Sequence, residues 1–172
     1  MARIGLSDIA ALPDPLQSYQ FEWFVPSIPG SGDGRGLTLR CNQASIPGET
    51  KDEVEVSLHG ITLKFAGRTT FTHEVSLQFQ ETRDLYVIMK LKAWLAYSKD
   101  IIATTGAYKA QYSTTSKLYL YDDTQSIIAT VNIYNSFIKS MSDVQLDGTQ
   151  SSAVPVQATL SYDYTQIFAG KA

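Results

Sequence analysis

The stretch Phe71-Thr-His-Glu-Val-Ser-Leu-Gln-Phe-Gln80 alternates, and the stretch that follows it, Glu81-Thr-Arg-Asp-Leu-Tyr-Val-Ile-Met-Lys-Leu-Lys-Ala-Trp-Leu-Ala-Tyr-Ser98, does not. In the first, Val75, Leu77 and Phe79 fall on one side, with Glu74, Ser76, Gln78 and Gln80 on the other. That is the period of a strand with one buried face. From Thr82 the period changes. Leu85, Ile88, Leu91 and Leu95 recur at helical spacing, with Val87 and Trp94 beside them and Lys90, Ala93 and Tyr97 opposite. Thr82 reads as an N-cap, Asp84 suits the first turn and Lys99 suits the C-terminal end, which predicts a helix over 83–98.

Outward from this pair the chain reads as strands. Tyr19, Phe21, Trp23 and Val25 alternate before Pro26 and Pro29 end the run. Gly30–Gly36 reads as a turn or surface loop. A second strand is expected from Leu37 to about Ser45, with Leu37, Leu39 and Cys41 on one side, broken by Pro47-Gly48. Val54, Val56 and Leu58, then a bend at His59-Gly60, then Ile61, Leu63 and Phe65 predict a long hairpin over 49–65 whose other face is polar. Lys117–Tyr121 and Ile127–Tyr134 read as a hairpin around Asp122-Asp123, and Phe137–Leu146 as a further strand ending at the turn pair Asp147-Gly148. Val154–Tyr164 alternates cleanly and reads as half-buried. Residues 99–113 read as a polar loop, and 1–17 as an extended arm. About eight strands and one helix predict a mainly β fold, a barrel or sandwich with a flanking helix, in a single domain spanning 1–172.

Composition narrows the function. The 172 residues are 44% hydrophobic but only 18% charged, below the usual quarter or so. Few charges on a well-folded chain suggest a surface that something else covers. The net charge of −3 and pI near 5.3 argue against a protein that grips nucleic acid by its phosphates. A single cysteine, Cys41, excludes an intramolecular disulfide and a cysteine zinc site, and His59 and His73 leave little for metal ligation. Met1 to Leu12 lacks the continuous apolar core of a signal peptide, and no run reaches the length of a membrane helix.

No constellation for catalysis emerges. Gly30–Gly36 lacks the Gly-Lys-Ser/Thr ending of a phosphate loop. Asp122 and Asp123 are adjacent and read as a turn. Cys41 has no neighbour that would lower its pKa. Trp23 and Trp94 read as core or interface anchors. What stands out is a set of strands with one apolar face and one face rich in Gln, Ser and Thr, an arrangement that suits a self-assembling β subunit.

Several segments carry a resemblance. Leu39-Arg-Cys-Asn-Gln-Ala-Ser-Ile-Pro-Gly48 matches a Cys-x-x-Ala-x-Ile/Leu-Pro pattern. Ala66-Gly-Arg-Thr-Thr-Phe71 enters a strand, Arg83-Asp-Leu85 opens the helix that holds Ala93-Trp-Leu95, and Ala158-Thr-Leu-Ser-Tyr-Asp-Tyr164 closes the chain. With the Tyr19–Val25 strand, their order and spacing resemble the tail tube proteins of contractile-tailed (myovirus) bacteriophages, relatives of type VI secretion and R-type pyocin tubes. The resemblance covers about residues 17–167.

The resemblance implies two packed antiparallel sheets forming a small β-barrel with one helix. It implies a structural virion protein, made in the host bacterial cytoplasm, that is no catalyst. Copies would form six-membered rings stacked into the inner tube of a contractile tail, through which DNA passes without specific binding. The implied partners are the chain itself, the tail sheath, a baseplate hub or tube initiator, and a tail terminator. No cofactor, metal or membrane anchor is expected. Polar faces make Glu74, Gln78, Asp143 and Gln145 candidates to line the lumen. Glu53, Glu55, His59 and Lys64 on the hairpin are candidates for ring-to-ring contact, together with the N-terminal arm. A DNA-free injection tube, a baseplate tube initiator and, in another class, a ligand-binding β-barrel are the alternatives.

Overall fold

The computed structural model describes residues 10–11, 15–100, 102–149 and 151–170. Most of the expected N-terminal arm lies outside these residues; Pro15, Leu16 and Gln17 at its end are exposed. The strands in chain order are β1 (Phe21–Phe24), β2 (Ser27–Ile28), β3 (Gly32–Asp33), β4 (Cys41–Ala44), β5 (Glu49–Leu58), β6 (Ile61–Phe71), β7 (Glu74–Gln80), β8 (Lys99–Asp100), β9 (Thr105–Gly106), β10 (Thr114–Tyr121), β11 (Ile127–Met141), β12 (Pro155–Ser161) and β13 (Tyr164–Ala169). The helices are α1 (Arg35–Thr38), α2 (Tyr86–Ser98) and α3 (Lys109–Tyr112).

The main sheet is antiparallel and runs β1-β10-β11-β12-β7-β4, with β13 also paired to β11. The strand β11 serves two halves of the sheet. Its first part pairs with β10 and β13; from Phe137 onward it pairs with β12. The change of partner follows Asn135, which takes a left-handed φ of 53°. The two halves meet over one core. Trp23, Leu118, Val131 and Ile133 come from one half, and Val75, Leu77, Phe79, Val156, Ala158 and Leu160 from the other. The Trp23 ring meets Phe79 edge-on at 5.6 Å. Each of the fully buried Val, Leu, Ile and Phe side chains contributes on the order of 1.5–3 kcal/mol.

Mainly β with antiparallel sheets and a flanking helix is the expected class, but the barrel does not close. The end strands β1 and β4 are not hydrogen-bonded to each other. Part of α1 stands beside β1 instead, where Val25 N–H donates to Thr38 Oγ1 at 3.5 Å.

Four expectations about the strands need correction. The strand expected from Leu37 begins only at Cys41, because Leu37 and Thr38 N–H both donate to Gly34 C=O and wind the chain into α1. Leu37 is therefore buried while Leu39 is 73% exposed, not on one side together. Gly34 is required there: a Cβ would lie 2.1 Å from Val25 O, so the glycine-rich loop is close-packed at this point. The strand expected over 71–80 breaks at Thr72-His73, where His73 takes a φ of 57°. The strand expected over 137–146 is the tail of β11, so Asp143 and Gln145 lie beyond any strand. Finally β13, which sequence reading missed, follows Tyr162-Asp163.

The helix begins at Tyr86, later than expected, and Leu85 precedes it with a left-handed φ of 52° and 53% exposure. Its buried stripe is Val87, Leu91 and Trp94, one step round from the expected Leu85 series. Thr82 is not its cap. Glu81 is, accepting N–H bonds from Val87 at 3.1 Å and Ile88 at 2.8 Å.

Candidate functional site

Two surfaces stand out: the β5–β6 hairpin and the polar face of β7 and β12. The hairpin turns at His59-Gly60, both in left-handed backbone (φ 51° and 80°), the conformation that a tight two-residue turn requires. It runs past the expected 65 to Phe71. Directly paired residues put Val54 against Phe65, Val56 against Leu63 and Leu58 against Ile61. Pairs opposite one another share a face, so these form one apolar surface. Glu53–Ala66, Glu55–Lys64 and Ser57–Thr62 form the other.

Every residue of β5 is exposed, and β6 is exposed except at Gly67 and Phe71. Ile61 is 65% and Phe65 53% exposed. The candidate contact residues Glu53, Glu55 and Lys64 are paired with one another: Lys64 Nζ lies 2.6 Å from Glu53 Oε2 and 3.3 Å from Glu55 Oε1. Those carboxylates push the Lys64 ammonium pKa up. His59 sits at the exposed tip. Sequence reasoning thus chose the salt-bridged face, and passed over its apolar reverse although the same alternation displayed it.

The second surface is the outer side of β7 and β12. Their inner residues are buried, and Ser76, Gln78, Gln157 and Thr159 point outward, continued by Gln43 and Ser45 around a shallow concavity. Gln78 stands across from Gln157, and Ser76 from Thr159. Of the lumen candidates, Glu74 and Gln78 share this face, while Asp143 and Gln145 do not belong to its strands. Glu74 is not a free charge: Lys139 Nζ of β11 forms an ion pair with its Oε1. No local pattern signals this partner, which lies 65 residues along the chain.

The remaining candidates form no reaction centre. Burial pushes the Cys41 thiol up to about 12, the wrong direction for a nucleophile. Among the described residues no group of His, Cys, Asp or Glu could hold a metal ion, and no helix is long and apolar enough to cross a membrane. Asp122 is held below the usual carboxylate range by Thr124 and the Ser126 amide, within its own turn.

A family described as phage tail tube protein matches residues 13–167, and the chain belongs to that family. It is 26% identical over 154 residues to the tail tube terminator protein of Enterobacteria phage T4, covering 84% of this chain and 85% of that one. Its fold is similar to that in the anti-feeding prophage tube terminating cap (TM-score 0.69, 16% identity, 93% of this chain and 95% of that one). It is also similar to that in the sheath/tube terminator of an extracellular contractile injection system, PVC, in the extended state (TM-score 0.65, 19% identity, 92% and 100%). The chain is thus a member of a family of structural phage-tail proteins, with a fold shared by proteins of contractile injection systems.

Proposed function

We propose that this member of the phage tail tube protein family assembles with copies of itself into a ring of the tube of a contractile tail, and that the ring stands at the end of that tube. The observation that carries self-assembly is the hairpin. Val54, Val56, Leu58, Ile61, Leu63 and Phe65 form one exposed apolar face. Contiguous exposed apolar surface beyond a few hundred Å² marks an interaction site. Covering it with a neighbouring copy gives about 25 cal/mol per Å² buried. Among the described residues the outer edges of β1, β4 and β13 have no strand partner, and they offer further places for a neighbour. A copy that contacts the next through different surfaces closes into a ring when the rotation allows.

The end position is favoured by the T4 tail tube terminator, a relative found by sequence. The description of the family itself favours a second reading, the repeating subunit of the tube. In either position the ring is a hexamer in the virion, its polar sheet face with Glu74 and Gln78 turned to the lumen and Asp143 and Gln145 near it. Glu53, Glu55, His59 and Lys64 border the contact to the adjacent ring. The tail sheath and baseplate are neighbours of the tube, and a lumen face whose Lys139 is neutralised by Glu74 lets DNA pass without sticking. A tube that carries no DNA uses the same assembly.

The test is removal of the chain from its own tail system, followed by electron microscopy of the particles. Loss of a terminal ring leaves tubes whose ends and lengths are unregulated. Loss of the repeating subunit leaves no tubes. Normal tubes of normal length would refute both.

A further inference from the structure

The β5–β6 hairpin joins the rest of the chain through two short links, residues 45–48 and Thr72-His73, and Tyr162 grips the second link. Tyr162 is 2% exposed. Its phenol oxygen is 3.1 Å from Thr72 Oγ1. Its carbonyl accepts a hydrogen bond from His73 Nδ1 at 3.0 Å, and its N–H donates to His73 C=O at 3.2 Å. The two rings lie 5.9 Å apart, and Phe71 meets His73 edge-on at 6.1 Å.

We propose that Tyr162 is a positioning residue for assembly: it fixes the angle at which the hairpin leaves the sheet, so that the apolar face meets a neighbouring copy in one orientation. This rests on the reading of the hairpin as a contact between copies. The need for such a device follows from leverage. Ten residues of strand span about 33 Å, so a rotation of about 10° at the base moves the tip by about 6 Å, more than the spacing between neighbouring strands. Among the described residues β5 pairs with no strand but β6 and all of it is exposed, so no other strand braces the hairpin against that rotation. Resistance has to come from the base.

Tyr162 is itself well anchored. The next residue, Asp163, donates its N–H to Tyr134 C=O at 3.1 Å, and its carboxylate accepts a bond from Asn135 Nδ2 at 2.8 Å and pairs with Lys109. The other link is tied as well, since Ser45 N–H donates to Ser76 C=O at 3.0 Å and Ser76 N–H to Ser45 Oγ at 2.9 Å. The Thr72–Tyr162 hydroxyl pair joins a side chain at the hairpin's base to one anchored in the core. Removing it leaves the ring packing in place.

The experiment uses the full chain with Cys41→Ser, and nitroxide labels at Ser57→Cys near the tip and Lys92→Cys on α2. Distances are read by pulsed electron resonance below the assembly concentration. Tyr162→Phe and Thr72→Val should each widen the distance distribution about twofold while lowering the melting temperature by no more than about 4 °C. Ring formation should then need about tenfold more protein. A distribution as narrow as the parent's in both variants would overturn the proposal, whatever assembly does. A widened distribution with unchanged ring formation would instead overturn the reading of the hairpin as a contact, on which the proposal stands.

Discussion

The carboxylate of Glu81 accepts the backbone N–H of Ile88 at 2.8 Å, and so caps α2 from outside the helix. Its other oxygen takes the N–H groups of Thr82 at 2.9 Å and Val87 at 3.1 Å. A carboxylate here both satisfies otherwise unpaired donors and meets the positive end of the helix. Glu81→Ala should cost about 1–2 kcal/mol, the range of a lost N-cap. In a thermal melt that is a fall of a few degrees, about 2–4 °C per kcal/mol at this size. Thr82→Ala, which removes only bonds to Arg40 and Asp84, should cost less. Equal costs would mean that the cap is shared.

The apolar face of the hairpin should separate stability from assembly. Val56→Asp and Leu63→Asp place charges on side chains that touch water in the free chain. Each should change stability by no more than about 0.5 kcal/mol, as is usual at exposed positions. Both should abolish rings and tubes in negative-stain images. Lys92→Gln, at an exposed position of α2 outside the hairpin, should leave assembly intact. Tubes formed by the aspartate variants would remove the hairpin from the contact.

Glu74 and Lys139 neutralise each other on the polar sheet face. Glu74→Gln should therefore leave a bare ammonium on every subunit, which in a ring becomes a band of positive charge. DNA delivery should slow, with tube assembly unchanged by microscopy. Glu74→Gln combined with Lys139→Gln should restore the parental rate. A single variant that delivers DNA normally would place this face away from the lumen.

Asp163 is held below the usual carboxylate range, first by its bond from Lys109 and then by Asn135. A lowered folded-state pKa adds stability that is complete above the ordinary carboxylate value near 3.9 and is lost as pH falls through the lower folded value. Melts from pH 6 down to pH 2 should show that loss, and Asp163→Asn should flatten it. An identical acid limb in the variant would assign the loss to other carboxylates.

Cys41 should be slow to alkylate. With burial pushing its pKa to about 12, its thiolate at pH 8 is scarcer by roughly a thousandfold than that of a free thiol with a pKa near 8.5. Iodoacetamide labelling should be correspondingly slow in the native chain and become fast in denaturant. Rapid native labelling would show that this region opens.

Alternation made most of the sheet legible. Val75, Leu77 and Phe79, and likewise Val156, Ala158 and Leu160, are buried as their spacing required, because a strand's side-chain period leaves no other choice when one face is wet. Local pattern failed where a backbone conformation or a distant partner decides. Nothing in residues 34–39 announces that Gly34 C=O will gather two N–H groups and turn an apparent strand into a helical turn. Asn135 and His73 adopt left-handed backbone at positions where the alternating pattern alone reads as extended chain. The Glu74–Lys139 pair and the Tyr162 grip join residues far apart in sequence, and only the fold brings them together. On the hairpin, periodicity displayed both faces but could not say that both, the apolar one included, lie exposed in the free chain.

A strand held on both flanks behaves as a tension member. Bonds between antiparallel strands lie perpendicular to them, so a pull along β11 loads its links to β10, β12 and β13 in shear, many at once. A pull across the sheet would open them one after another, like a zip. Because β11 spans both halves of the sheet in 15 continuous residues, a jolt delivered along that direction is spread over the subunit instead of concentrated at one joint.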